Sequence, residues 1–116
     1  MAATQPVIVD RLLATPNTAE IVFTVARNLR YLRGHFPGVP IVPGVVQIKW
    51  AIDEGAVCLG LGKRVIGLEA IKFRQVMQPA REVRLSLRFD EQTNKLHFSY
   101  ESRTGMHSSG RLLLHS

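Results

Sequence analysis

Gly34-His35-Phe36-Pro37-Gly38-Val39-Pro40-Ile41-Val42-Pro43-Gly44 is the stretch on which the reading of this chain turns. Its three prolines and three glycines exclude a helix and a central strand, because proline removes a donor and fixes φ while glycine weakens regular structure. A stiff loop is the remaining choice. From Val45 to Leu59 there is no proline and one glycine, and Val45, Ile48, Ile52 and, less regularly, Val57 recur near helical spacing until Gly60 and Gly62 stop the run. This predicts one long helix. Val46, Trp50 and Ala51 widen its apolar surface, so burial on most sides is expected.

The residues after the helix read as sheet, over 64–76, 82–89, 95–102 and 106–114. Leu85, Leu87 and Phe89 alternate with Arg84, Ser86 and Arg88, and Leu96, Phe98 and Tyr100 alternate with His97, Ser99 and Glu101, the period of strands with one buried face. Gln92-Thr93-Asn94 and Thr104-Gly105 are hairpin turns between them. Before the loop, 19–26 alternates as a strand, while 7–13, with Asp10 and Arg11 inserted among apolar residues, fits a short strand or a helical turn. One helix followed by an antiparallel meander gives an α+β class, with a sheet wrapped around one long central helix and residues 1–116 as a single domain.

Composition narrows the function. Hydrophobic residues make up 46% and charged residues 21% of 116, as in an ordinary globular protein. No apolar run approaches the ~20 residues of a membrane span, and the N-terminus lacks a basic start followed by an apolar stretch, so a cytoplasmic address is expected. The lone Cys58 sits between Val57 and Leu59 and reads as a packed thiol. The net charge of +6 favours anionic partners, but the arginines are spread along the chain without stacking aromatics, which argues against nucleic acid. Metal-ligand spacings, a dinucleotide fingerprint and a serine-nucleophile elbow are all missing.

The loop carries the chemistry. Pro37, Pro40 and Pro43 restrain φ at three points and leave His35 little freedom to lose, as a general base requires. Gly44 opens the helix, where free N–H groups and the positive end of the dipole can hold a developing oxyanion. A side chain at that position would obstruct the approach.

The string from His35 to Val45, placed directly before a long apolar helix, resembles the active-site loop of the 3-hydroxyacyl-carrier-protein dehydratases, which have the hot-dog fold. Lys72-Phe73-Arg74 is similar to the strand that follows in that family, and Pro43 to Trp50 looks like the dehydratase-like proteins of aryl polyene clusters. The resemblance implies that His35 removes the α-proton of a 3-hydroxyacyl thioester and that the Gly44 N–H polarises its carbonyl. It also implies that a carboxylate from a partner subunit protonates the leaving hydroxyl. That carboxylate stands fourteen residues after the histidine, where this chain has Lys49. Candidate donors are therefore Lys49, with its pKa lowered by burial, and Asp53, one turn along the same face. The pair also has a plain reading as a helix salt bridge. A site that keeps binding without the reaction is a further alternative.

Phe36, Pro37, Gly38, Pro43, Val45 and Trp50 are expected to contact substrate, and Arg30, Arg33, Lys72 and Arg74 to dock an acidic acyl carrier protein. No cofactor is implied, and a homodimer or higher homo-oligomer is. Two other functions stand beside the dehydratase: a non-catalytic carrier-binding partner of an active homologue, and a hot-dog thioesterase. His97, His107 and His115 lack the proline frame that singles out His35.

Overall fold

The computed structural model describes residues 5–26, 41–79 and 81–115. They form six strands and one helix: β1 (Val7–Thr15), β2 (Thr18–Thr24), α1 (Gly44–Leu59), β3 (Val65–Phe73), β4 (Glu82–Asp90), β5 (Lys95–Ser102) and β6 (Gly105–Leu114). All strands join one antiparallel sheet in the order β1-β2-β4-β5-β6-β3. The sheet packs one face on α1.

The alternation seen in the sequence decides that face. Ile21 and Phe23 on β2, Val83, Leu85 and Leu87 on β4, Leu96, Phe98 and Tyr100 on β5, and Leu112 on β6 are all buried together with Val46, Trp50 and Ala51 of α1. Phe23 meets Trp50 and Tyr100 edge to face, with centroids 5.8 and 5.9 Å apart. Such pairs add about 0.5–1.5 kcal/mol each beyond the area they bury, so this trio anchors the helix to the sheet.

One open alternative is decided and two expectations need correction. The ambiguous segment 7–13 is a strand, β1, and it pairs with β2 through a turn at Pro16-Asn17 closed by the Thr15 and Thr18 hydroxyls 2.8 Å apart. Its alternation was blurred because an edge strand exposed on nearly every residue has little to alternate for. The strand expected over 64–76 ends at Phe73, and the chain beyond it is held by irregular hydrogen bonds. Finally, α1 buries one face only: Val46, Gln47, Trp50, Ala51, Glu54 and Gly55 point to the sheet, while Val45 and Val57 are 74% and 64% exposed. The helix ends as expected, with Gly60 in the left-handed region at φ 66° and its N–H donated to the Gly55 carbonyl.

Candidate active site

The start of α1 lies where the loop reading required. Pro43 is the N-cap, with φ −58° and ψ 148°, and its ring offers the helix no side-chain hydrogen bond. Its carbonyl accepts from the Val46 and Gln47 N–H groups at 3.1 and 3.2 Å. The N–H groups of Gly44 and Val45 have no partner among the described residues. Two donors at the positive end of a helix dipole are thus available to a carbonyl or an oxyanion.

Gly44 makes room here for a contact that the sequence did not reveal. A Cβ at this position would lie 2.5 Å from Cζ and 2.6 Å from Cε1 of Phe73, whose ring stands against the helix start and is itself 55% exposed. Phe73 therefore walls one side of the two free donors. It faces the helix because β3 carries an irregularity between Glu69 and Lys72, with Ala70 at φ 54°. Glu69 pairs with Arg111 and Lys72 with Ser109, both on the outer face, so one extra residue between them puts Phe73 opposite the buried Ser108.

Lys49 and Asp53 do come together: Nζ donates to Asp53 Oδ2 at 2.9 Å. Both lie on the outward side of α1, with side chains 50% and 43% exposed. The dry setting that the donor reading calls for is therefore not supplied by the described residues of one chain. Trp50, expected to contact substrate, is a core residue at 1% exposure, and its Nε1 has no partner among the described residues. Val45 is at the surface beside the free donors.

Lys72 and Arg74 are exposed, and Lys72 faces away from the helix, where it borders a groove of about 730 Å³ across the outer face of the sheet. Lys72 is therefore on the opposite side of the sheet from the helix start. His35, Phe36, Pro37, Gly38, Arg30 and Arg33 lie outside the described residues. Among the described residues no group of His, Cys, Asp or Glu could hold a metal ion, and no helix is long and apolar enough to cross a membrane.

Comparison with known proteins places this geometry. The family model described as ApeI-like, ApeI dehydratase, matches residues 12–111. The chain belongs to this family. A solved structure, the dehydratase heterocomplex ApeI:P from Xenorhabdus doucetiae, superposes with a TM-score of 0.91 at 29% identity, covering 97% of this chain and 99% of that one. A protein from Erwinia carotovora subsp. atroseptica gives a TM-score of 0.83 at 33% identity over 96% of both chains. The hot-dog fold expected from the sequence is the fold found. Among curated proteins, the 3-hydroxyacyl-[acyl-carrier-protein] dehydratase FabZ of Erythrobacter litoralis is 34% identical over 63% of this chain and 54% of that protein. The corresponding enzyme of Natranaerobius thermophilus is 37% identical over 62% and 57%. The chain spans little more than half the length of these relatives.

Within this ApeI-like chain, the sequence reading missed the roles of three groups near the helix start or its face, Glu54, Gln47 and His107. Glu54, the buried carboxylate of α1, is held by Arg11 of β1, with Nε to Oε1 at 2.8 Å and Nη2 to Oε2 at 3.1 Å. Its charge is thereby committed to the fold. Burial and the neighbouring Glu54 push the Cys58 thiol up from its ordinary range, which agrees with a packed rather than a nucleophilic cysteine. Gln47 and His107, 3% and 2% exposed, sit in hydrogen-bond networks with residues up to 61 positions away. Gln47 was the one of these with a signal, as an amide on the apolar first turns of the helix.

Proposed function

We propose that this chain, acting as one domain over residues 1–116, removes water from 3-hydroxyacyl thioesters on an acyl carrier protein. The products are trans-2-enoyl thioesters of fatty acid or polyene-type biosynthesis. The observation that carries this reading is the pair of N–H groups at Gly44 and Val45 that find no partner among the described residues, at the start of α1 in an ApeI-like chain.

His35 takes the proton from the carbon next to the thioester, and the Gly44 N–H holds the oxygen on which negative charge develops. The electron pair left on carbon forms the new double bond and expels the 3-hydroxyl, which departs as water with a proton from Lys49 or Asp53. A second subunit of the same chain covers the outward face of α1 and dries that pair. The acidic carrier docks through Arg30, Arg33, Lys72 and Arg74, and the reaction runs in the cytoplasm and calls on no cofactor.

A second reading has its own support. Lys49 stands where the resembling family has a carboxylate, and the Xenorhabdus doucetiae neighbour is described as a heterocomplex. On that reading the chain is the carrier-binding partner of an active homologue. Mass spectrometry of the purified protein with 3-hydroxyacyl carrier substrates separates the two: loss of one water supports the dehydratase, and an unchanged acyl group with retained carrier binding supports the partner. Release of free acid would instead mark a thioesterase. Full dehydration by His35→Ala would overturn the proposed mechanism.

A further inference from the structure

Val42 lies just before the helix start, and both of its backbone polar groups are held. Gln47 Nε2 donates to its carbonyl at 3.1 Å, and its N–H donates to the Met77 carbonyl at 2.8 Å. Each holder is itself held. Gln47 Oε1 accepts from Ser108 Oγ of β6 at 2.6 Å, and the Gln47 backbone carbonyl accepts from the Tyr100 hydroxyl of β5 at 2.6 Å.

On the other side, the segment that carries Met77 is fixed by His107. The His107 carbonyl accepts from the Arg74 and Gln75 N–H groups at 2.8 and 3.4 Å. Its Nδ1 lies 3.0 Å from the Val76 carbonyl and its Nε2 2.7 Å from Ser102 Oγ. A carbonyl can only accept, so in the neutral ring Nδ1 carries the proton and Nε2 accepts from Ser102. Two buried polar networks thus converge on one residue, holding the peptide units on either side of it.

Burying an amide and an imidazole is costly unless every polar atom finds a partner, and an apolar side chain in place of Gln47 would pack α1 without that requirement. What the amide adds is direction. Pro43, with φ near −58°, passes the orientation of Val42 on to Gly44 with little play.

We infer that Gln47 is a positioning residue. Together with the Met77 side of the clamp it fixes Val42 and so sets the direction in which the Gly44 and Val45 N–H groups meet a substrate carbonyl. The substrate in this statement rests on the dehydratase reading, whereas the clamp rests on the hydrogen bonds alone.

Gln47→Met keeps the length and removes both amide bonds, and Ser108→Ala leaves the amide in place but unanchored. Two measurements on folded protein decide: amide hydrogen exchange over 42–46, and kcat and KM separately. We expect Gln47→Met to speed exchange at Val42 and Val46 and to lower kcat by about tenfold to a hundredfold with KM within about twofold, since small misplacements at a reacting centre cost that much. Ser108→Ala should move both readouts the same way by less, and carries the test if Gln47→Met fails to fold. Unchanged exchange in a folded Gln47→Met protein would remove the clamp. Faster exchange with unchanged kcat would reduce Gln47 to a structural residue. If the unaltered protein dehydrates nothing, the dehydratase reading falls, and the exchange comparison still decides whether the clamp exists.

Discussion

The two faces of α1 differ in what completes them. On the sheet side, Gln47, Trp50, Ala51 and Glu54 find their partners within the chain: Tyr100 and Ser108, Phe23, the core, and Arg11. On the outward side, Val45 and Val57 are bare and the Lys49–Asp53 pair is half exposed. The inward face makes the fold. The outward face, with the free donors of Gly44 and Val45 at its end, is where a substrate or a second subunit has something to add.

The sharpest way to break this contrast is Gly44→Ala. Its Cβ would displace only the Phe73 ring, the far end of a flexible and exposed side chain, so melting should change little. If the free N–H groups act on an oxyanion, kcat/KM should fall by about a hundredfold, the usual effect of disabling one such donor. Adding Phe73→Ala should restore part of the rate by returning room. A large drop in melting temperature with normal turnover per folded molecule would place Gly44 with the fold instead.

Arg11→Met tests the inward face. It leaves Glu54 without its two charge-assisted bonds, and denaturant unfolding should show a loss of about 1–3 kcal/mol, kept to that range because Arg11 is itself 43% exposed. Activity per folded molecule should hold. Lys49→Met tests the outward face, where the i,i+4 pair taken alone contributes about 0.3–0.5 kcal/mol and the subunit cover proposed above adds to that. A loss that grows with protein concentration would mean that a second subunit covers the pair, whereas a concentration-independent loss belongs to the contacts of Lys49 within its own chain.

What could be read from the residues followed the same division. The helix bounds and the β4 to β6 meander were legible because each has one face buried by its own chain, and burial writes a period into the sequence. β1 was not legible, since an edge strand exposed along its length needs no period. The expectation that α1 is buried on most sides failed at Val45 and Val57, whose apolar side chains are not buried by the described residues. Within the site, Gly44 and the Lys49–Asp53 contact followed from local spacing. Gln47 and His107 did not, because Ser108 lies 61 residues from Gln47 and Val76 lies 31 from His107, and only strand register brings them together.

The irregularity at Ala70 acts on β3 like a shift of reading frame. Pairing every β3 residue in turn, with none left over, would set Lys72 opposite Ser108 and exchange the sides taken by Lys72 and Phe73. An ammonium would then stand over the electropositive end of α1 where an aromatic ring stands now, repelled by the dipole and competing for any anion brought there. A left-handed alanine, a conformation that costs roughly 1–2 kcal/mol, is thus retained at the position that keeps a cation out of the candidate site.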